Sequence, residues 1–312
     1  MYRAKFLAVA FVAMFIWASA YGRDVGGEVL PFIRIDRNPA SAAMGFAGAA
    51  STSDIAFSAF GNSAVIPFAG SKFGAAVSYQ NWAPDGVKSN NINAGAAFKL
   101  TDYLGFSLGF AYQAGEKYSE TSDISGASDG TFTPNDFVIN GGMGVKITEF
   151  LSVGMNLRYA RQSLASDTAY SSFGGDLLIY CTPVRGLGLA AGVVSLGTPV
   201  KSEDHKTYDI PTSAKVAGDY RAEFSVHSLK AGLDLDYFFS GKFCAAAGVQ
   251  YGFKDMLFVC AGYHLGSDDA VLPSFATVGA GVKFAGVRLD LAFITANDVI
   301  GNTVSVGLSY SF

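Results

Sequence analysis

The chain is short of charge. Lys, Arg, Asp and Glu make up 15% of its 312 residues, against roughly 25% in soluble domains. Long apolar runs are missing as well: after Ala20 there is no stretch of 18 apolar residues, so membrane-spanning helices are not expected. Of the two signs of charge the basic one is scarcer, 22 Lys and Arg against 26 Asp and Glu. That argues against a nucleic-acid binder, which needs a basic face. There are only three cysteines, Cys181, Cys244 and Cys260, and an odd count gives no obvious disulfide framework. The three histidines, His205, His227 and His264, include no His-x-x-x-His spacing, and no Cys-x-x-Cys occurs. No metal site is supported. Glu203-Asp204-His205 reads as part of a solvated polar loop. Phosphate loops and nucleotide fingerprints are absent, and no cofactor is expected.

What is present begins with an export signal. Arg3 and Lys5 precede the apolar core Phe6–Trp17, and Ala18-Ser19-Ala20 fits the small-x-small cleavage rule. Residues 1–20 are therefore expected to be a signal peptide, leaving 292 of the 312 residues. The remainder is rich in Gly (37) and aromatic residues (14%). An apolar chain without apolar runs suits membrane strands, which need only alternate residues to be apolar.

The alternation is explicit at the C-terminus. Val304, Val306, Leu308, Tyr310 and Phe312 share one face, and Ser305, Gly307, Ser309 and Ser311 share the other. Leu104 to Tyr112, Leu151 to Tyr159, Leu229 to Tyr237 and Val287 to Phe293 repeat the pattern. Phe98-Lys99-Leu100-Thr101-Asp102-Tyr103-Leu104 also matches Val145-Lys146-Ile147-Thr148-Glu149-Phe150-Leu151 at an offset of 47. Each copy reads as strand, tight turn, strand. Fourteen strand cores follow: 72–83, 90–100, 104–116, 135–147, 151–162, 172–181, 187–195, 213–222, 227–239, 243–251, 256–265, 275–284, 287–296 and 303–312. The even number suits a closed bacterial barrel. With Phe312 placed in the periplasm, the short turns fall on the periplasmic side and the long polar segments Lys117–Pro134 and Gly197–Pro211 fall outside. The fold class expected is all-β, a transmembrane antiparallel barrel of about 14 strands over residues 71–312. The alternating strand ending in Tyr310 and Phe312 resembles the assembly signal of outer-membrane barrels. Outer-membrane lipid and the barrel-assembly machinery are then expected partners.

Residues 21–70 do not alternate. Their Ala- and Gly-rich run, Ala40 to Ala50, reads either as a hatch packed in the barrel lumen or as a linker. Arg158, Lys230, Asp234, Asp236, Lys283, Arg288 and Asp290 fall on the inward phase. They read as a charge ladder bracing hatch and wall, or as a polar solute path; opposite signs on neighbouring strands favour pairing. Gly105-Phe106-Ser107-Leu108-Gly109 matches a nucleophile-elbow pattern, but it lies mid-strand where no strand-to-helix turn can expose Ser107, and no enzyme is expected. Cys244 and Cys260 fall on adjacent strands, where two buried thiols are favoured over a disulfide.

Ile33 to Ala50, with its Met44-Gly45 and Gly48, then Asn62-Ser63-Ala64, then the closing strand Val304 to Phe312, together resemble the PorV/PorQ family. That family is a branch of the FadL-like outer-membrane barrels of Bacteroidota. The family's usual Asn-Pro-Ala is replaced here by Asn62-Ser63-Ala64. The resemblance implies a 14-stranded barrel with an N-terminal lumenal hatch, whose motif positions are Met44, Gly45, Gly48, Asn62 and Ala64. It implies a non-catalytic partner subunit in type IX protein secretion or outer-membrane assembly, bound to other outer-membrane or secreted proteins. FadL relatives imply the alternative, a channel for uptake of small hydrophobic molecules, with a hydrophobic ligand as partner.

Overall fold

A backbone N–H or C=O facing hydrocarbon has no water to bond, so a sheet in a bilayer is stable only when it closes on itself. The computed structural model of the protein, which describes residues 29–82, 88–121, 130–201, 207–267, 272–295 and 301–312, meets that requirement. The expected signal peptide and Glu203, Asp204 and His205 lie outside the described residues.

The strands in chain order are β1 Phe73–Trp82, β2 Ser89–Lys99, β3 Leu104–Ala114, β4 Tyr118–Glu120, β5 Gly130–Phe132, β6 Asn135–Thr148, β7 Leu151–Ser163, β8 Ala169–Val184 and β9 Leu187–Gly197. They continue with β10 Val200–Lys201, β11 Thr207–Tyr208, β12 Ser213–Phe224, β13 His227–Phe238, β14 Phe243–Phe253, β15 Leu257–Gly266, β16 Phe275–Phe284, β17 Val287–Ile294 and β18 Thr303–Ser311. Fourteen of them form one closed antiparallel barrel in which β1 pairs with β18. The two remaining pairs, β4–β5 and β10–β11, are small hairpins inside the long loops, an addition that the strand pattern did not announce. Each of the fourteen expected strand cores corresponds to one barrel strand. The largest difference is β8, which starts at Ala169 and runs to Val184 rather than spanning 172–181.

Alternation decides the faces. Along β3 the side chains of Phe106, Leu108, Phe110 and Tyr112 are exposed on the outside, while Ser107, Gly109 and Ala111 are buried inside. The same exposed apolar belt runs around the whole barrel, from Val77 and Tyr79 on β1 to Leu308 and Tyr310 on β18. An apolar belt this extensive on a closed barrel is a lipid-facing surface. Six tight connections, such as Ala285-Gly286 and Ser225-Val226, gather at one rim with Phe312 and are called the turn end. The opposite rim is the loop end. Phe312 is fastened by its backbone, its carbonyl accepting from the amides of Lys72 and Phe73 at 2.7 and 3.1 Å. Its ring lies near those of Phe73 (5.5 Å) and Tyr310 (5.9 Å).

Placing a charge on this belt should be costly. Leu108 is 68% exposed on the lipid face, and Leu108→Arg is expected to destabilise the folded barrel by about 2–4 kcal/mol. Leu164→Arg, in the β7–β8 loop, should change stability by no more than about 0.5 kcal/mol. Denaturant titration in lipid vesicles measures both, and equal effects would rule out a lipid-facing β3.

Candidate functional site: a lumen filled by the N-terminal segment

Residues 29–70 run through the barrel from one rim to the other. At the loop end the Val29 amide donates to the Asp209 carbonyl at 3.2 Å. At the turn end Lys99 Nζ donates to the Ala69 carbonyl at 3.1 Å. Of the four short helical turns between these points, two are of similar design. Asn38 Oδ1 accepts from the Ala40 amide at 3.0 Å and caps the turn Pro39–Ala42. Asn62 Oδ1 accepts from the Ala64 amide at 2.9 Å and caps Ser63–Phe68. Asn is a favoured cap because its side-chain oxygen satisfies an amide that has no partner within the helix.

The wall receives these turns in two saddles made of glycine. In the first, Gly232, Gly248 and Gly262 lie side by side on β13, β14 and β15. Any Cβ at Gly248 or Gly262 would collide with the backbone of Met44. Gly45 sits beside Met44 at φ +72°, so close to the backbone of Tyr263 that a Cβ would lie 2.6 Å from it. Thr277 Oγ1 fixes this turn by accepting from the Gly45 amide (2.8 Å) and donating to the Ala43 carbonyl (3.0 Å). In the second saddle Gly105, Gly144 and Gly154 lie side by side on β3, β6 and β7. Cβ atoms there would collide with Ile66, Ser63 and Ala64. Asn140 Nδ2 and Asn156 Nδ2 donate to the Ala59 and Gly61 carbonyls, both at 2.9 Å. Ser107 faces the Ser63 hydroxyl at 2.8 Å, so the elbow-like Gly-x-Ser-x-Gly is part of this seat. The expected hatch positions Met44, Gly45, Asn62 and Ala64 thus sit at the two seats or cap them. Gly48 serves a different purpose: it lets the segment fold back on Ser41, whose Cβ lies 2.8 Å from where a Gly48 Cβ would be.

Between the segment and the wall from β7 to β17 lies a cavity of about 180 Å³. Leu272, in its lining, belongs to a buried apolar cluster with Leu30, Phe32, Ile210 and Phe275. The cavity's rim residues Ser53 and Gly61 are exposed. Six cations line it, Arg34, Arg37, Arg158, Lys215, Lys230 and Arg288, with Asp36, Asp54, Asp176, Asp234 and Asp236. Asp236 is the hub. It takes Arg34 of the segment at 2.7 Å and Lys215 of β12 at 2.7 Å, while Asp234 takes Lys215 at 3.4 Å. Arg158 on β7 pairs with Asp176 on β8 at 2.9 Å, Lys230 with Asp219 at 3.3 Å, and Arg288 with Asp290 at 2.8 Å. Asp234 Oδ2 also accepts from the Ala49 amide at 3.1 Å, and Lys230 Nζ reaches Ser51 Oγ at 2.7 Å.

The expected charge ladder is therefore brought together except for Lys283. Its phase is inward, but it sits at the turn end and pairs there with Asp255 at 2.8 Å. Partial burial would raise the Asp255 carboxyl, but the hydrogen bond and charge of Lys283, with Arg221 beside it, hold it below the usual carboxylate range. Arg34, Lys215, Asp176 and Asp219 complete the pairs and were not anticipated. The Arg158–Asp176 pair also braces an irregularity in the wall. The β8–β9 register shifts between Gly175 and Leu177, and Ser195 adopts φ 55°. Asp176 Oδ1 accepts from the Ser195 amide at 2.7 Å, and Arg158 reaches Ser195 Oγ at 3.0 Å.

Cys244 and Cys260 are free and buried. Their partners in register are Gly266 and Gln250, six residues apart along the ladder, so no disulfide joins them. His227 meets Tyr251 OH at 2.6 Å on the outer surface, and His264 stacks on Phe275 at 4.8 Å inside. Among the described residues no group of three His, Cys, Asp or Glu could hold a metal ion.

The closed fourteen-strand barrel is similar in fold to several solved structures. The solved structures it is similar to include the toluene transporter TbuX of Ralstonia pickettii (TM-score 0.61, 12% identity, 88% of this chain and 97% of that one). The toluene transporter TodX of Pseudomonas putida gives 0.59 and 14%, covering 87% and 96%. A FadL homologue of Pseudomonas aeruginosa gives 0.50 and 12%, covering 88% and 96%. No family profile matches the sequence, nor does any curated protein.

Asp236→Asn leaves Arg34 and Lys215 without their shared counter-charge. Unfolding in detergent should show a loss of about 3–5 kcal/mol. A loss below about 1 kcal/mol would mean that water already solvates this cluster.

Proposed function

We propose that the protein is a plugged channel of the outer membrane, through which a small molecule passes when the N-terminal segment shifts in the lumen. The observation that carries this reading is the cavity kept between segment and wall, with exposed residues at its rim and a buried apolar cluster beside it. The likeness in fold to barrels named as toluene transporters supports a channel over the secretion-partner role implied by a PorV/PorQ resemblance. No feature of the site specifically favours a type IX secretion subunit. Tyr310 and Phe312, held at the seam where β18 meets β1, are proposed as the residues read by the assembly machinery.

The structure supplies a lock for testing the plug. A Cβ at Gly232 would lie 3.4 Å from the Ala47 Cβ, close to the separation of about 3.8 Å found in disulfides. Ala47→Cys with Gly232→Cys, in a chain whose native cysteines are replaced by Ala, should form a bond that pins segment to wall. Flux of toluene and of L-alanine into liposomes would be measured on the oxidised and reduced forms. The reduced protein is expected to conduct at least one of them and the oxidised protein at least tenfold less. No flux in either form, or equal flux in both, would overturn the channel reading.

A further inference from the structure

The cavity chemistry narrows the solute class, and this step rests on the channel reading only for how the solute reaches the cavity. Counting Asp219 and Asp290, which pair with lining cations, six cations face seven carboxylates. A wall so nearly balanced offers little net attraction to a simple cation or a simple anion. A hydrocarbon is disfavoured for another reason. It would displace water from the charges without replacing their hydrogen bonds.

Five of the six cations have a carboxylate within ion-pair distance. Arg37 is the exception among the described residues. Its Nη1 and Nη2 donate to the Ile35 and Phe32 carbonyls at 2.9 and 3.0 Å, and its guanidinium lies 5.2 Å over the Phe60 ring. It is 7% exposed. A guanidinium has five N–H donors in a planar fork, so donors remain for a ligand. Asp36 and Asp54 also line the cavity without an ion pair among the described residues: Asp36, adjoining Arg37, accepts from the Asn38 amide at 2.9 Å and from Ser41 Oγ, and Asp54 accepts from the Ala56 amide at 3.1 Å. Arg37 and its neighbour Asp36 in the N-terminal segment thus place, side by side, a cation and a carboxylate that form no salt bridge to the wall. The space of about 180 Å³ open to water centres is well above the roughly 10–15 Å³ that one water needs on that measure, so a small organic solute fits.

We propose that the cavity binds a small zwitterion, with its carboxylate on Arg37 and its cationic group on Asp36. A net-neutral molecule with both charges satisfies both residues and leaves the wall pairs undisturbed. A ligand bound to segment residues also couples occupancy to plug position.

The test is calorimetric titration of the full mature chain in detergent with L-alanine, acetate, ethylammonium and toluene. L-alanine is expected to bind at least tenfold more tightly than acetate or ethylammonium. Arg37→Gln and Asp36→Asn should each weaken it at least tenfold, in protein whose heat-modifiable gel migration shows a folded barrel. If either variant fails to fold, the ligand panel on the unaltered protein decides the matter. Acetate binding as tightly as L-alanine, toluene binding in preference to it, or no binding at all would overturn the proposal. A protein that conducts toluene but does not bind L-alanine would refute the zwitterion site and leave the channel standing. Binding of L-alanine without flux of any solute would do the reverse.

Discussion

In the hydrocarbon of a bilayer no water is available for the backbone, and every peptide group must find its partner within the sheet. Most other features of this protein follow from that. It forces closure between β1 and β18, where Gly74 to Asn81 pair with Ser311 to Val304. It forces apolar side chains outward at every second position, and the charged residues of the strands fall on the inner face or near the rims. Once fourteen strands close, the ring is wide, and its interior must be filled or left wet.

Filling falls to the N-terminal segment, and the inner face is shaped for it. Glycines aligned across three neighbouring strands lower the wall by the depth of a side chain, and each saddle takes one Asn-capped turn. Glycine in a strand weakens it and marks close approach of another backbone, which is how it is used here. The saddles hold by shape. The charged cluster around Asp236 holds by ion pairing, with Arg34 of the segment on one oxygen of the carboxylate and Lys215 of the wall on the other.

Much of this was legible in the sequence because period-two alternation survives wherever one face meets lipid. The strands, their faces and the distribution of short turns and long loops all follow from it. What could not be read is where inward residues meet. Phase places Lys283 and Arg288 on the same side of the wall, but not at the same depth, and depth separates Lys283 from the cavity. Asp176 was hidden in the run Gly174-Gly175-Asp176, and Arg34 lies in a segment with no periodicity at all. Asn62 was visible as a motif residue, whereas Asn38 caps the matching turn unannounced. The narrower resemblance to PorV/PorQ rested on short motifs of this same segment and on the closing strand Val304 to Phe312. The motifs of the segment report how it is seated and the closing strand how the barrel is sealed, and neither distinguishes a channel from a secretion subunit.

Closure of the ring can be tested directly. Val77 on β1 and Leu308 on β18 are partners in register, and both face lipid. With both replaced by cysteine in a chain whose native cysteines are Ala, a closed barrel should oxidise to an intramolecular disulfide. The bond should form in nearly all molecules and keep the oxidised protein compact on a heated denaturing gel. If the pair stays reduced while one shifted by two residues forms readily, or if no β1–β18 pair can be linked, the fourteen-strand closure described above is wrong.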